Sequence, residues 1–295
     1  MEVANSVGSP GVDLGGRDPV LGPYRLRGRL GGGSEGELFE ATVAAPGQSR
    51  GQGRGEVRRV AVKIFRALSP DTEERVRQEF QRLGGLDHPG IVRPVDLGRA
   101  PDGRLYLVMD LIEGAPLSSL VEPHASRGGV GASGPAGATT ATTATTEKAA
   151  AAFARAAWDV TDALAYLHAR GVVHGDLSPA NVRITPEGRA VLVDLGCLGL
   201  PRLGGPASAA AAGVTAGARG TLGFAAPEAL IGALGAASDL FSLGATLFFA
   251  WTGAAPFGVG GPSLQRLLSP APAPTVSSLR PGLADGWERL LGDLL

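Results

Sequence analysis

Apolar positions recur along this chain with two different periods, and the switches between them mark out elements. From Tyr24, YRLRGRL alternates apolar and polar residues as a half-buried strand does, and LFEATV resumes that pattern after a run carrying glycines at 31, 33 and 36. VRRVAVKIF, residues 57–65, ends in a continuous apolar stretch and reads as a buried strand. Pro70 and Asp71 then form a helix start signal, and Asp71 to Leu83 has a helical period, with Phe80 and Leu83 on one stripe. Further helices are expected at Glu147 to Ala169 and Gly282 to Leu295, around the very apolar run Leu240 to Trp251. Between them, Val182 to Ile184 and Val191 to Val193 flank Thr185-Pro186-Glu187-Gly188, whose Pro and Gly favour a tight turn, so a short antiparallel hairpin is predicted.

Other stretches lack such a pattern. Met1 to Pro23 has no periodic apolar residues and reads as a disordered tail. Residues 44–57, rich in Gly, Gln and Arg, read as an exposed insertion between strands. Glu122 to Thr146 is low-complexity Gly, Ala, Ser and Thr, expected to loop out, and Leu198 to Arg219 is Ala/Gly-rich and expected to move.

Length and composition narrow the function classes. With 295 residues and 44% hydrophobic content the chain can bury a large core, in one domain or two lobes. A net charge of −1 gives no bulk attraction to nucleic acid or membrane surfaces, so neither is expected as a partner. The single cysteine, Cys197, rules out an internal disulfide; no basic-then-apolar leader opens the chain, and Gly244 interrupts the longest apolar run. A cytoplasmic protein without a transmembrane helix is expected.

The candidate chemistry gathers at His174 to Gly196. Asn181 lies just before the outgoing strand of the predicted hairpin and Asp194 just after the returning one, so both reach the same open end, with Asp176 a few residues upstream. Two oxygen ligands side by side suit a hard cation such as Mg2+, or Mn2+, that keeps waters and takes phosphate oxygens. A third carboxylate on a loop is available to accept a proton, which is the layout of a phosphoryl-transfer site. Asp and Asn in loops are often only turn formers. Rarity favours the functional reading: the chain has two asparagines, Asn5 and Asn181, and two lysines, Lys63 and Lys148, among 27 Lys and Arg residues. A lysine within an apolar strand is costly unless paired, and Glu79, beside the apolar stripe of the following helix, is the nearest candidate partner. A Gly-rich loop between strands can cover phosphates with backbone N–H groups, although 46 glycines make such a spacing expected about once by chance.

Taken together these motifs resemble those of bacterial eukaryotic-type (Hanks-type) serine/threonine protein kinases, from Tyr24 nearly to the end. LGGGSEG is similar to the family's glycine loop, VAVK to its lysine strand, DHPGIV to the segment after its helix C, and LYLVMDLIEG to the strand entering its interlobe hinge. HGDLSPAN resembles the catalytic loop, DLG the metal-binding motif, GTLGFAAPE the docking end of the activation segment, and SDLFSLGATLFFAWTGAAPF the buried helix whose Asp239 braces the catalytic loop. The resemblance implies an α+β, two-lobed fold: a small antiparallel β lobe with helix C at 24–109, a larger helical lobe at 110–295, and ATP in the cleft. It implies Asp176 as catalytic base, Lys63 with Glu79 at the phosphates, Asn181 and Asp194 as metal ligands, and Thr221 in substrate docking. The ATP site by the same resemblance comprises Leu30, Gly31, Gly33, Gly36, Leu38, Ala61, Lys63, the gatekeeper Met109, and Asp110 and Ile112 through their backbones. The implied partners are ATP and protein substrates.

Departures from the family keep alternatives open. Gly175 replaces the usual arginine before the catalytic aspartate, so a phosphorylated activation loop would lack its main cationic partner. Ser178 stands where a lysine usually contacts the transferring phosphate, and Leu195 replaces a phenylalanine but stays apolar. The chain stops inside the helix Gly282 to Leu295, before the segment that usually supplies an arginine to Glu228. It is therefore expected to be truncated relative to the family, with Arg280 or Arg289 substituting or the second lobe weakened. A weak or inactive pseudokinase is one rival to an active protein kinase. A small-molecule phosphotransferase of the aminoglycoside-kinase type, which also carries HGD followed by N, is the other; the GT and APE motifs argue against it.

Overall fold

The computed structural model describes residues 19–33, 36–44, 57–120, 139–194, 223–231, 233–258, 265–269 and 272–295, without the side chains of 139–145, 230 and 231. The chain divides into two compact units, one formed by residues up to Leu68 together with Val95–Leu111, the other by Ser69–Pro94 together with Ile112–Leu295.

The first unit is a six-stranded sheet. Its strands are β1 (Val20–Leu21), β2 (Tyr24–Gly32), β3 (Gly36–Ala44), β4 (Val57–Phe65), β5 (Pro94–Arg99) and β6 (Leu105–Asp110), in the spatial order β1-β2-β3-β4-β6-β5. Period-two patterning puts Tyr24, Leu26, Ala41, Val60, Val62, Ile64, Tyr106 and Val108 on one face, where they form a buried core, while Arg25 and Arg27 face out. The long strands match the sequence reading within two residues, and VRRVAVKIF matches it end to end. One boundary differs: the expected tail runs to Pro23, yet Val20 and Leu21 already pair with Arg25 and Tyr24, and Leu21 is buried. Two residues carry no periodicity, so this strand exists only through its partner.

The second unit is mainly helical. It contains α1 (Pro70–Leu83), β7 (Ala115–Pro116), α2 (Thr139–His168), the hairpin β8 (Val182–Ile184) and β9 (Ala190–Leu192), α3 (Ala236–Thr252), α4 (Val276–Leu279) and α5 (Asp285–Leu294). Helix α1 starts where expected because Ser69 caps it, its hydroxyl accepting the Thr72 N–H at 3.3 Å. It groups with this unit rather than with the sheet. The segment after it is fastened here: Val92 N–H donates to Leu192 O at 2.8 Å, Leu192 N–H to Gly90 O at 2.9 Å, and Asp87 N–H to the Tyr166 hydroxyl at 2.9 Å.

Helix α2 begins eight residues before the expected Glu147, inside the Ala/Thr repeat. The last Gly or Pro of that low-complexity stretch is Gly137, and beyond it the modest helix cost of the threonines is offset by the helix that Glu147 to His168 already propagates. Helix α3 is the centre of the unit, with eleven buried residues. A Cβ on Gly244 would lie 2.7 Å from Leu294 Cβ, so that glycine permits the close approach of α5. Around it, Phe153 packs edge-on against Trp251 and Trp287 with ring centroids 5.4 and 5.0 Å away.

The expected rescue of Glu228 by arginine is corrected. Arg280 donates to Trp251 O at 3.0 Å and stacks 4.6 Å from that indole's centroid, and Arg289 is exposed. Glu228 is only partly buried, and its carboxylate accepts the Ser238 hydroxyl at 2.8 Å. The cost of a stranded buried charge therefore does not arise in full.

Candidate active site

The hairpin forms by local chemistry. Gly188 adopts φ 78°, which glycine tolerates, and its N–H closes the turn on Thr185 O at 2.8 Å. Because Thr185 N–H then pairs with Arg189 O, the returning strand is Ala190–Leu192, one residue earlier than expected, in the register Val182↔Leu192. In the same turn the Thr185 hydroxyl holds the Glu187 carboxyl below its usual range.

At the other end, Val193 N–H donates to Asn181 O at 3.0 Å, so Asn181 and Asp194 flank the open end as the spacing implied. Asn181 Nδ2 donates to Asp176 O at 2.7 Å and to Asp176 Oδ2 at 3.2 Å, tying the loop across five residues. That leaves Asn181 Oδ1 as the acceptor of the amide. Among the described residues no three His, Cys, Asp or Glu side chains form a self-sufficient metal cage. An amide oxygen and a carboxylate side by side fit instead a hard cation that retains waters and phosphate oxygens.

The loop is held from beneath by α3. Asp239, in its first turn, is fully buried and accepts His174 N–H at 2.7 Å and Gly175 N–H at 2.6 Å. His168, in the last turn of α2, adds a third contact, Nε2 to Asp239 Oδ2 at 2.8 Å. Gly175 adopts φ 67°, so the residue before Asp176 sits in the left-handed region that disfavours side chains. Ser178 is buried just before the turn that carries Asn181, whose N–H bonds to Ser178 O at 3.0 Å.

In the first unit the register places Lys63 between Leu38 on β3 and Leu107 on β6, and Ala61 between Glu40 and Met109. Leu38, Ala61, Lys63 and Met109 thus share one face of three adjacent strands, opposite the face of Val60, Val62 and Ile64. Lys63 is buried, with Nζ 5.7 Å from the Phe65 ring centroid. Leu30 is exposed, and Asp110 forms an ion pair with Arg58. The three loop glycines differ in kind. A Cβ on Gly36 would lie 2.1 Å from Ile64 O, so the fold itself demands glycine there. At Gly31 and Gly33 nothing lies within 4 Å, and neither has positive φ, so the fold makes no such demand.

Glu79 belongs to the second unit, where its carboxylate pairs with Arg82 at 3.4 Å, and Ile112 is partly buried there. Thr221, Leu195, Cys197, Ser208, Thr215, Arg202 and Arg219 lie outside the described residues. Sequence reasoning missed His168 and Asp159. Buried Asp159 accepts Ala190 N–H at 3.0 Å and pairs with Arg155 at 3.3 Å and Arg189 at 3.7 Å, clamping β9 to α2. A charged residue on the buried stripe of α2, beside Val160, was the available signal.

With this geometry in place, comparisons agree with one another. The family described as "Protein kinase domain" matches residues 24–266. The DNA damage-responsive serine/threonine-protein kinase RqkA of Deinococcus radiodurans is 31% identical over 289 residues, covering 96% of this chain and 37% of that protein. Serine/threonine-protein kinase PknA of Mycobacterium tuberculosis is 31% identical over 277 residues, 89% of this chain and 53% of that protein. The chain thus spans roughly two fifths to a half of the length of these relatives. Among solved structures, the PknI kinase domain of Mycobacterium tuberculosis aligns with a TM-score of 0.59 at 25% identity, covering 96% of this chain and 91% of that one.

Proposed function

The chain belongs to the protein kinase family, among the bacterial Hanks-type serine/threonine kinases, and from that premise we propose that it transfers the γ-phosphoryl group of ATP to Ser or Thr hydroxyls of proteins. The observation that carries this reading is the loop held by Asp239, in which Asn181 is bonded to Asp176 at the end of the hairpin where Asp194 emerges.

Bound Mg·ATP supplies the transferable phosphoryl group and the cation that neutralises its oxygens. The chain's own residues do the rest. Asp176 accepts the proton of the attacking hydroxyl, and Asn181 Nδ2 fixes the orientation of that carboxylate. Asn181 Oδ1 and the Asp194 carboxylate hold the cation. Lys63 binds phosphate with Glu79 as counter-charge, the backbones of Asp110 and Ile112 receive adenine beside Met109, and Thr221 positions the substrate. Gly31 and Gly33 support phosphate binding, because the space where a Cβ would stand is open and lets a phosphate come close to the backbone, although the Gly33 N–H itself is engaged by Gly36 O at 2.9 Å.

Two features set the regulation. With glycine at 175 the loop lacks the cation that usually anchors an activation-segment phosphate, so activity does not require that phosphate. With Ser178 in place of lysine the transition state has one positive charge fewer, which slows turnover. Ser178 also favours the second reading, a scaffold that binds nucleotide without transferring phosphate. No described helix is long and apolar enough to cross a membrane.

The test is transfer from labelled ATP to a generic protein substrate after phosphatase treatment. Wild type and the Ser208→Ala, Thr215→Ala double variant retain transfer, whereas Asp176→Asn and Asp194→Asn lose roughly 100- to 10,000-fold. Only Asp194→Asn also weakens Mg·ATP binding. Nucleotide binding without transfer in the wild type would establish the scaffold reading instead.

A further inference from the structure

We infer that the chain pairs with a second copy of itself through the outer face of α2, centred on Trp158. The buried stripe of this helix, Phe153, Ala156, Val160, Ala163, Leu164 and Leu167, is fully used within the unit. Trp158 points the other way and is 71% exposed, the most exposed of the large apolar side chains among the described residues. A tryptophan left in water forfeits a large burial, and this residue type dominates the centres of protein interfaces.

Its neighbours identify the occupant. On the exposed stripe, Arg155 precedes Trp158 by three residues and Asp162 follows by four, with side chains 52% and 55% exposed. Ala151 and Ala165, both exposed, lie seven residues to either side. A two-fold axis relating antiparallel copies of α2 near Trp158 sets each Arg155 opposite Asp162 of the other copy, and each Ala151 opposite Ala165. The face is therefore complementary in charge to itself, and its small residues lie where the two helices approach. Contacts inside the chain are compatible with this: Arg155 uses Nε toward Asp159, and Asp162 meets His88 Nε2 at 3.2 Å through one oxygen.

The interface is small. Trp158 is already partly covered within its own chain, so two of them contribute less than the about 150–250 Å² each of full burial and, with their alanine flanks, fall well short of the roughly 1,200 Å² of a stable complex. Self-association is accordingly weak.

Sedimentation of the full 295-residue chain over about two decades of concentration, up to on the order of 100 μM, tests the inference. Wild type shifts from monomer to dimer, and Trp158→Ala stays monomeric with a little-changed melting temperature, since most of the side chain is exposed. Arg155→Asp and Asp162→Arg are each monomeric alone, because each sets like charges opposite one another. Mixed in equal amounts they form a heterodimer, in which both pairs are again opposite in sign. A wild type that remains monomeric throughout overturns the inference and leaves the face to a different partner. A dimer that survives Trp158→Ala overturns it as well, as does failure of two folded charge variants to associate.

Discussion

Asp239 holds the amide nitrogens of Gly175 and His174 at 2.6 and 2.7 Å although it lies 64 and 65 residues further along the chain. One buried carboxylate thus sets the backbone from which Asp176 projects. Replacing it with asparagine keeps the shape but turns one acceptor into a donor facing an N–H. Asp239→Asn is expected to lose about 3 kcal/mol of stability and most transfer activity, read by urea unfolding alongside the labelled-ATP assay.

At position 175 backbone conformation separates two substitutions that size would rank the other way. Alanine in the left-handed region costs about 1–2 kcal/mol, whereas asparagine visits that region readily. Gly175→Ala should lower kcat more than Gly175→Asn, with the KM for ATP little changed in both. Equal kcat values would show that φ at this residue does not position Asp176.

The loop glycines should split by their surroundings. Gly36→Ala drives a Cβ into Ile64 O, so the β3–β4 pairing gives way and the protein is destabilised by about 2 kcal/mol or more. Gly31→Ala and Gly33→Ala have open space, so thermal unfolding is unchanged while ATP binding weakens. Calorimetric ATP titration beside a thermal melt checks both halves.

Lys63→Arg keeps a positive charge on β4 but replaces a compact ammonium with a longer planar group at a buried position. Transfer should fall about 100-fold or more with the fold intact by circular dichroism. Undiminished turnover would show that Lys63 merely packs beside Phe65.

Tyr24 supplies a pH prediction for the first unit. Burial, reinforced by its hydrogen bond to Asp96 Oδ2 at 2.9 Å, raises its hydroxyl pKa well above the ordinary tyrosine value. A folded-state pKa above the unfolded value means that the contribution is complete below pH about 10 and is lost as pH rises further. Tyr24→Phe should be less stable by about 1–2 kcal/mol at pH 7, and its stability should fall less steeply above pH 10. Some slope remains, since burial raises Tyr106 too. Denaturant midpoints of both proteins across that range give the comparison.

Much of this architecture was legible because its causes are local. Pro186 and Gly188 specify the turn, alternation specifies β2 and β3, a continuous apolar stretch specifies β4, Pro70 starts α1, and the apolar run around Gly244 lies in α3. The same locality brought Asn181 and Asp194 to one hairpin end. The early start of α2 misled because a low-complexity repeat without Gly or Pro has weak preferences, and the helix ahead decides for it.

What the sequence by itself determined was therefore the set of elements, the motif order and the residues offered for chemistry. Only the tertiary structure decided that Leu21 pairs as a strand, that Asp159 clamps β9, that His168 and two loop amides share Asp239, and that Ser238 rather than an arginine satisfies Glu228. Each of those contacts needs a group with no local partner to meet its complement from a separate element. That meeting depends on how the elements pack, which periodicity and turn chemistry do not encode.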